Sequence, residues 1–164
     1  MNLSSGFPAI ESPDARVLIL GSLPGVLSIA AGEYYAHPRN NFWAIMEAVL
    51  DIPLRGAPYE TRTLALKGRK IALWDVLASA HRTGSLDAAI RRDTANDLST
   101  FVASHSALSL ICFNGQKAAA LYKRHVAQPE LSSYKCVTLP STSPAHTVGL
   151  EAKRREWAII RRYL

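Results

Sequence analysis

Arg16-Val17-Leu18-Ile19-Leu20-Gly21-Ser22-Leu23-Pro24-Gly25 is the stretch from which the fold is read. Four consecutive apolar residues with no polar alternation describe a strand buried on both faces. Two glycines around a proline then end it in a tight turn where backbone can approach a ligand closely. Three more runs behave alike: Arg69–Trp74, Leu108–Phe113 and Tyr134–Leu139. Helical periodicity lies between and after them. Asn41–Leu50 sets Phe42, Ile45, Met46 and Val49 on one stripe. Leu86–Ser104 reads as a helix carrying Ile90, Ala95, Leu98, Phe101 and Val102, followed by Gln116–Val126 and Leu150–Leu164. Buried strands separated by helices require parallel crossovers. The expected fold is therefore α/β, a three-layer α/β/α sandwich around a central four-stranded parallel sheet. Ligands in such sheets bind beyond the carboxyl ends of the strands.

At 164 residues the chain is expected to form one domain over 1–164. With 48% hydrophobic and 20% charged residues it can bury a core, which excludes disordered and collagen-like classes. No apolar run approaches the ~20 residues of a membrane span, and Met1–Gly6 lacks the basic start of a signal peptide. A cytoplasmic location with no membrane partner is expected. Cys112 and Cys136 each sit in an apolar strand and read as reduced core thiols. Two cysteines, and five histidines without ligand spacing, do not supply a zinc or iron–sulfur site, so no metal or cofactor is expected. Residues 1–114 hold ten basic and ten acidic side chains, so the net charge of +6 comes from residues 115–164, with nine basic and three acidic. A polyanion partner and a solvated basic face fit that asymmetry about equally.

The segments that follow the strands carry the chemistry. Gly21–Gly25 matches neither a Walker loop nor a dinucleotide fingerprint. Glu33–Trp43 packs two tyrosines, His37-Pro38, Arg39 and the amides Asn40 and Asn41 ahead of a helix. Phe42 and Trp43 read as core anchors. Tyr35 and Asn40 are too aromatic and too polar for a connector; an aromatic can stack on a base and an amide can hold a water. Asn114-Gly115 follows the third strand. Pro140-Ser141-Thr142-Ser143-Pro144-Ala145-His146 follows the fourth, a stiff hydroxyl-rich loop of the kind that binds phosphate oxygens. Asp75 follows the second strand and reads as a cap on the next segment.

Taken together, Gly21–Gly25, Tyr35–Trp43 and Leu139–Ala145 resemble the motifs of the uracil-DNA glycosylase superfamily, and most closely its hypoxanthine-DNA glycosylase branch. The specific string is Ala36-His37-Pro38-Arg39-Asn40-Asn41-Phe42-Trp43. The mismatch-specific branch places Asn where this chain has Ser22, and other branches place a His where it has Ser141. The hypoxanthine branch also lacks an acid or amide in the first motif. Its catalytic asparagine matches Asn40 and its supporting asparagine matches Asn114, while His146 stands where that branch has Asn.

The resemblance implies a monofunctional, monomeric glycosylase that flips a deaminated base out of double-stranded DNA and hydrolyses its N-glycosidic bond. No carboxylate pair is expected at the strand ends, so amides take the work. Asn40 holds the water and Asn114 bonds the departing base. Tyr35, Gly21, Ser22 and Leu23 line the base site. Arg39, Lys153 and the loop Ser141, Thr142, Ser143, Pro144, Ala145 and His146 meet DNA, with Ala145 or His146 as a wedge. Backbone N–H groups of Gly21–Gly25 face the departing anion. No lysine follows a strand, which points to hydrolysis without a lyase step. A noncatalytic DNA- or RNA-binding module on the same fold, and a nucleotide-binding protein, are the alternatives.

Overall fold

The computed structural model describes residues 2–126 and 133–164. In chain order the strands are β1 (Asn2–Ser5), β2 (Val17–Gly21), β3 (Ile71–Asp75), β4 (Leu77–Arg82), β5 (Arg91–Ala95), β6 (Leu110–Asn114) and β7 (Lys135–Leu139). The helices are α1 (Val26–Ala31), α2 (Phe42–Leu50), α3 (Tyr59–Gly68), α4 (Leu98–Ala103), α5 (Gln116–Val126) and α6 (Leu150–Trp157). A 3-10 turn spans Asp87–Ala89 and another extends α6 over Ala158–Tyr163.

The four expected strands form one parallel sheet in the order β3-β2-β6-β7. The alternation of side chains along β2 shows why it is apolar throughout. Val17 and Ile19 point into one hydrophobic cluster with Phe42, Ile45, Met46 and Trp157, while Leu18 and Leu20 point into another with Leu98, Phe101, Ala118 and Leu121. Helices thus cover both faces, and the chain is a three-layer α/β/α sandwich. Register sets the carboxyl ends level: Gly21 pairs with Asp75, Leu20 with Phe113, and Asn114 with Leu139. Consecutive connections leave β2 in opposite directions, toward β3 and then back across to β6, which makes a switch point at its carboxyl end.

Two expectations fail. Leu86–Ser104 is not one helix: it is a 3-10 turn, then β5, then the short α4. Asn96-Asp97 interrupts the apparent periodicity. Asp97 caps α4 by accepting the Thr100 N–H at 3.1 Å, and β5 is held by antiparallel pairing to β4, a tertiary contact that overrides the local pattern. A second, three-stranded antiparallel sheet, β1-β4-β5, is the result. It joins the main sheet at Val76, whose N–H bonds the Gly21 carbonyl at 2.9 Å, so its loops hang over the carboxyl end of β2. Cys112 is buried as expected, but Cys136 is exposed, because β7 is an edge strand with one face open to solvent.

Candidate active site

One cleft of about 600 Å³ opens at the carboxyl ends of β2, β3 and β6. It gathers Gly21–Gly25, Tyr35, His37, Arg39, Asn40, Asn114 and Ser141–His146, segments separated by as much as 125 positions in the chain. The described side chains lining it also include several not assigned to the site from the sequence, among them Tyr34, His37, Asp75 and Asp87.

The loop after β7 is clamped from three sides. The Asn114 amide donates to Thr142 Oγ1 at 2.9 Å and its oxygen accepts the Thr142 N–H at 2.9 Å. Trp157 Nε1 donates to the Pro140 carbonyl at 2.9 Å, and Lys153 Nζ donates to the His146 carbonyl at 3.0 Å. The Thr142 carbonyl then accepts the Asn41 N–H, tying the loop to the start of α2. Gly115 makes the approach possible. Its φ of +96° suits glycine, and a Cβ there would lie 2.9 Å from the Ser141 Cβ.

These bonds bear on three assignments. Asn114 spends one N–H and one lone pair of its amide on the loop, so it holds Thr142, and its second N–H and second lone pair remain at the cleft wall. Thr142 is fully buried and cannot grip a phosphate. Lys153 is 1% exposed, and burial lowers the pKa of its ammonium; it fixes the loop from beneath. Ala145 and His146 do stand exposed at the tip. The basic last third is also put to structural use: Arg161 bonds the Ala48 and Val49 carbonyls at the end of α2, and Arg124 pairs with Asp93. None of its nine cations lines the cleft, where Arg39 is the one Lys or Arg among the described residues.

Asn40 ends the Tyr35–Asn40 segment with its oxygen accepting the Phe42 N–H at 3.0 Å, which leaves a second lone pair and the amide N–H groups available. Phe42 and Trp43 are core, as expected. Tyr35 adopts a φ of +56°, a strained conformation for an aromatic residue, and one face of its ring stacks on Phe42 at 4.2 Å. Ser22 donates its hydroxyl to Asp87 at 2.6 Å.

The expectation of no carboxylate pair is overturned. Asp75 is no cap: it is the last residue of β3, buried at the cleft floor, with Oδ2 lacking any hydrogen-bond partner among the described residues. Burial, then the charge of Asp87, push its pKa up to about 7, against the opposing pull of Arg82. Asp87 is also raised by burial, but the Ser22 hydroxyl, Arg82 and Lys117 all favour its charged form. Arg82 lies buried beneath the turn, donating to the Pro24 carbonyl. One guanidinium and two acids in a buried site leave one acid better off neutral, and that acid is Asp75.

A cleft at the switch point of a parallel sheet, floored by a tyrosine and an acid and walled by an amide and a clamped loop, defines an α/β protein with a polar, base-sized pocket at the strand ends. Residues 8–163 match the uracil DNA glycosylase superfamily, and the chain belongs to it. A protein named hypoxanthine DNA glycosylase from Methanosarcina barkeri is 35% identical over 155 residues, covering 93% of this chain and 94% of its own. One of the same name from Methanosarcina acetivorans is 35% identical over 163 residues, covering 98% and 99%. The solution NMR structure of a Methanosarcina acetivorans protein, solved as a candidate uracil DNA glycosylase, superposes with a TM-score of 0.85 at 35% identity, covering 98% of each chain. These comparisons support a DNA glycosylase.

Proposed function

We propose that this chain removes deaminated bases, hypoxanthine first, from double-stranded DNA by hydrolysing the N-glycosidic bond. It acts as a nucleoid-associated monomer at the start of base excision repair. The observation that carries the reading is the convergence of Asn40, Tyr35, Asp75 and the clamped Ser141–His146 loop on one base-sized cleft. The names of the relatives make hypoxanthine the first substrate to test, with uracil the second. Extruding the nucleotide costs a few kcal/mol, least at a mispair. Asn40 holds the water beneath the sugar. As the glycosidic bond breaks, positive charge grows on the sugar and negative charge on the base, and the site must favour both. No lysine lines the cleft among the described residues, so water, not an amine, is the nucleophile. The test is a set of duplexes carrying one hypoxanthine, uracil, xanthine or ethenocytosine opposite each partner, treated with alkali after incubation. Strand cleavage at hypoxanthine is expected. Tight binding without cleavage at any lesion would instead assign a noncatalytic binding module.

A further inference from the structure

Gly21 has an acid on one side and a phenol on the other. A Cβ at that position would lie 2.4 Å from Asp75 Oδ1 and 2.9 Å from Tyr35 Oη. Only the missing side chain lets both oxygens close over the end of β2. Tyr35 Oη and Asp75 Oδ2 are both buried without a hydrogen bond of ordinary geometry among the described residues, the Asn114 amide standing near the phenol without completing one. Two orphaned oxygens side by side in one cleft are an expensive arrangement unless a ligand completes them. Tyr35 is moreover held there by a strained backbone.

We infer that Tyr35 and the protonated form of Asp75 are a pair of hydrogen-bond donors for the negative charge of the departing base. The inference rests on the glycosylase reading above. Water bonds C1′ while the C1′–N bond breaks, and the electron pair leaves with the base. The phenol and carboxylic acid hydrogen-bond the charge that spreads onto the base's ring nitrogens and carbonyl oxygen. The proton shed by the water passes to solvent, and a solvent proton neutralises the released base. Donors fixed in a buried site stabilise developing charge with no reorganisation, and losing one typically costs 10²–10³-fold in rate. A carboxylate at Asp75 would do the reverse and repel the anion. Its protonated form is favoured by burial and by Asp87 across the cleft, and opposed by Arg82 from β4. Tyr34 and Tyr35 are the other titratable groups facing it, both pushed upward by burial and so neutral. The imidazoles of His37 and His146 line the same cleft.

The experiment is single-turnover excision of hypoxanthine from duplex DNA between pH 6 and pH 9. Wild type, Asp75→Asn, Tyr35→Phe and His37→Gln are compared, with duplex affinity and melting temperature measured for each. The wild-type rate should fall by about 10²-fold across that range, following loss of one proton from the free site. Asp75→Asn keeps an N–H donor but cannot titrate, so it should be slower than wild type at pH 6, flat with pH, and faster than wild type at pH 9. Tyr35→Phe should lose about 10²-fold at every pH with unchanged duplex affinity. His37→Gln should keep the titration. A flat wild-type profile, an Asp75→Asn variant that titrates like wild type, or a Tyr35→Phe variant at full rate overturns the donor pair and leaves the glycosylase reading standing. A wild-type protein that excises no base at any pH overturns the glycosylase reading itself.

Discussion

Replacing Asn114 by alanine separates a residue that holds a loop from one that reads a base. The Asn114 amide makes two hydrogen bonds of 2.9 Å to Thr142, which is fully buried. Alanine removes the donor to the Thr142 hydroxyl, about 1 kcal/mol, and orphans a buried N–H, about 1–3 kcal/mol more. A water entering the space would recover part of the second cost and bring the loss toward the low end. The expected destabilisation is about 2–4 kcal/mol, which lowers the melting temperature by roughly 5–15 °C in a protein of this size. The freed loop carries Ser143–His146, so the flipped nucleotide is held less accurately. A displacement of about 1 Å can cost 10²-fold in rate. With Asn114 acting through the loop, hypoxanthine and uracil should slow by the same factor.

Urea denaturation and single-turnover excision on both lesions measure the two effects together. Asn114→Asp is the control. One carboxylate oxygen can accept the Thr142 N–H while the threonine hydroxyl turns to donate to the other, so the loop stays anchored. The added negative charge in the cleft then opposes departure of an anionic base. A protein that is stable yet slow is expected. Wild-type stability in Asn114→Ala combined with a changed preference among bases would refute the clamp and return Asn114 to base recognition.

Asn40→Ala should abolish excision while leaving duplex affinity nearly unchanged; a joint loss of both would mark it as only a helix cap. Lys153→Met should leave the salt dependence of DNA binding as it is, since a buried ammonium contacts no phosphate, whereas losing a phosphate contact would shift the slope of log K against log[salt] by about 1. His146→Gly should slow excision more opposite cytosine, where hypoxanthine pairs best, than opposite thymine; an equal loss would exclude the wedge. Asp75→Asn should also change the pH dependence of stability. A carboxyl group whose folded pKa is raised from 3.8 to about 7 binds its proton more tightly when folded, so the wild type loses stability as pH rises through that window. The variant should therefore be the more stable protein at pH 8, with the gain shrinking toward pH 4, and unfolding curves that do not converge would refute the assignment.

The parallel sheet was legible because strands covered on both faces leave no polar alternation, as in Val17–Leu20, and because α5 begins where its pattern does. The antiparallel sheet was not. Leu77-Ala78-Ser79-Ala80-His81-Arg82 and Asn2-Leu3-Ser4-Ser5 hold small and polar residues whose strand character comes from pairing with each other, not from themselves. That omission propagated into the site. Asp87 reaches the cleft only because the β4–β5 sheet folds over the end of β2, and Asp75 read as a cap because the residues after it were not seen to be another strand. A signal was present: an acid closing an apolar strand, Leu73-Trp74-Asp75, at the end of the sheet where ligands bind. Asn114 and Thr142 lie 28 positions apart, and nothing local ties one to the other.

Several departures from ordinary local preference cluster at the cleft: a tyrosine at positive φ and a carboxyl group with an unsatisfied oxygen line it, and a buried arginine lies beneath its turn. Each lowers stability where it stands, and each is held by structure built for that purpose. Trp157, Lys153 and Asn114 pin the loop on one wall, and the β4–β5 sheet supplies Arg82 and carries the loop bearing Asp87 on the other. Between the walls Gly21 leaves out a side chain so that Asp75 and Tyr35 can close together. A ligand that brings negative charge to that point satisfies both oxygens at once, and a neutral one satisfies them less well. The site is therefore better matched to a base as it departs than to a base still joined to its sugar, which is the direction of difference that catalysis requires.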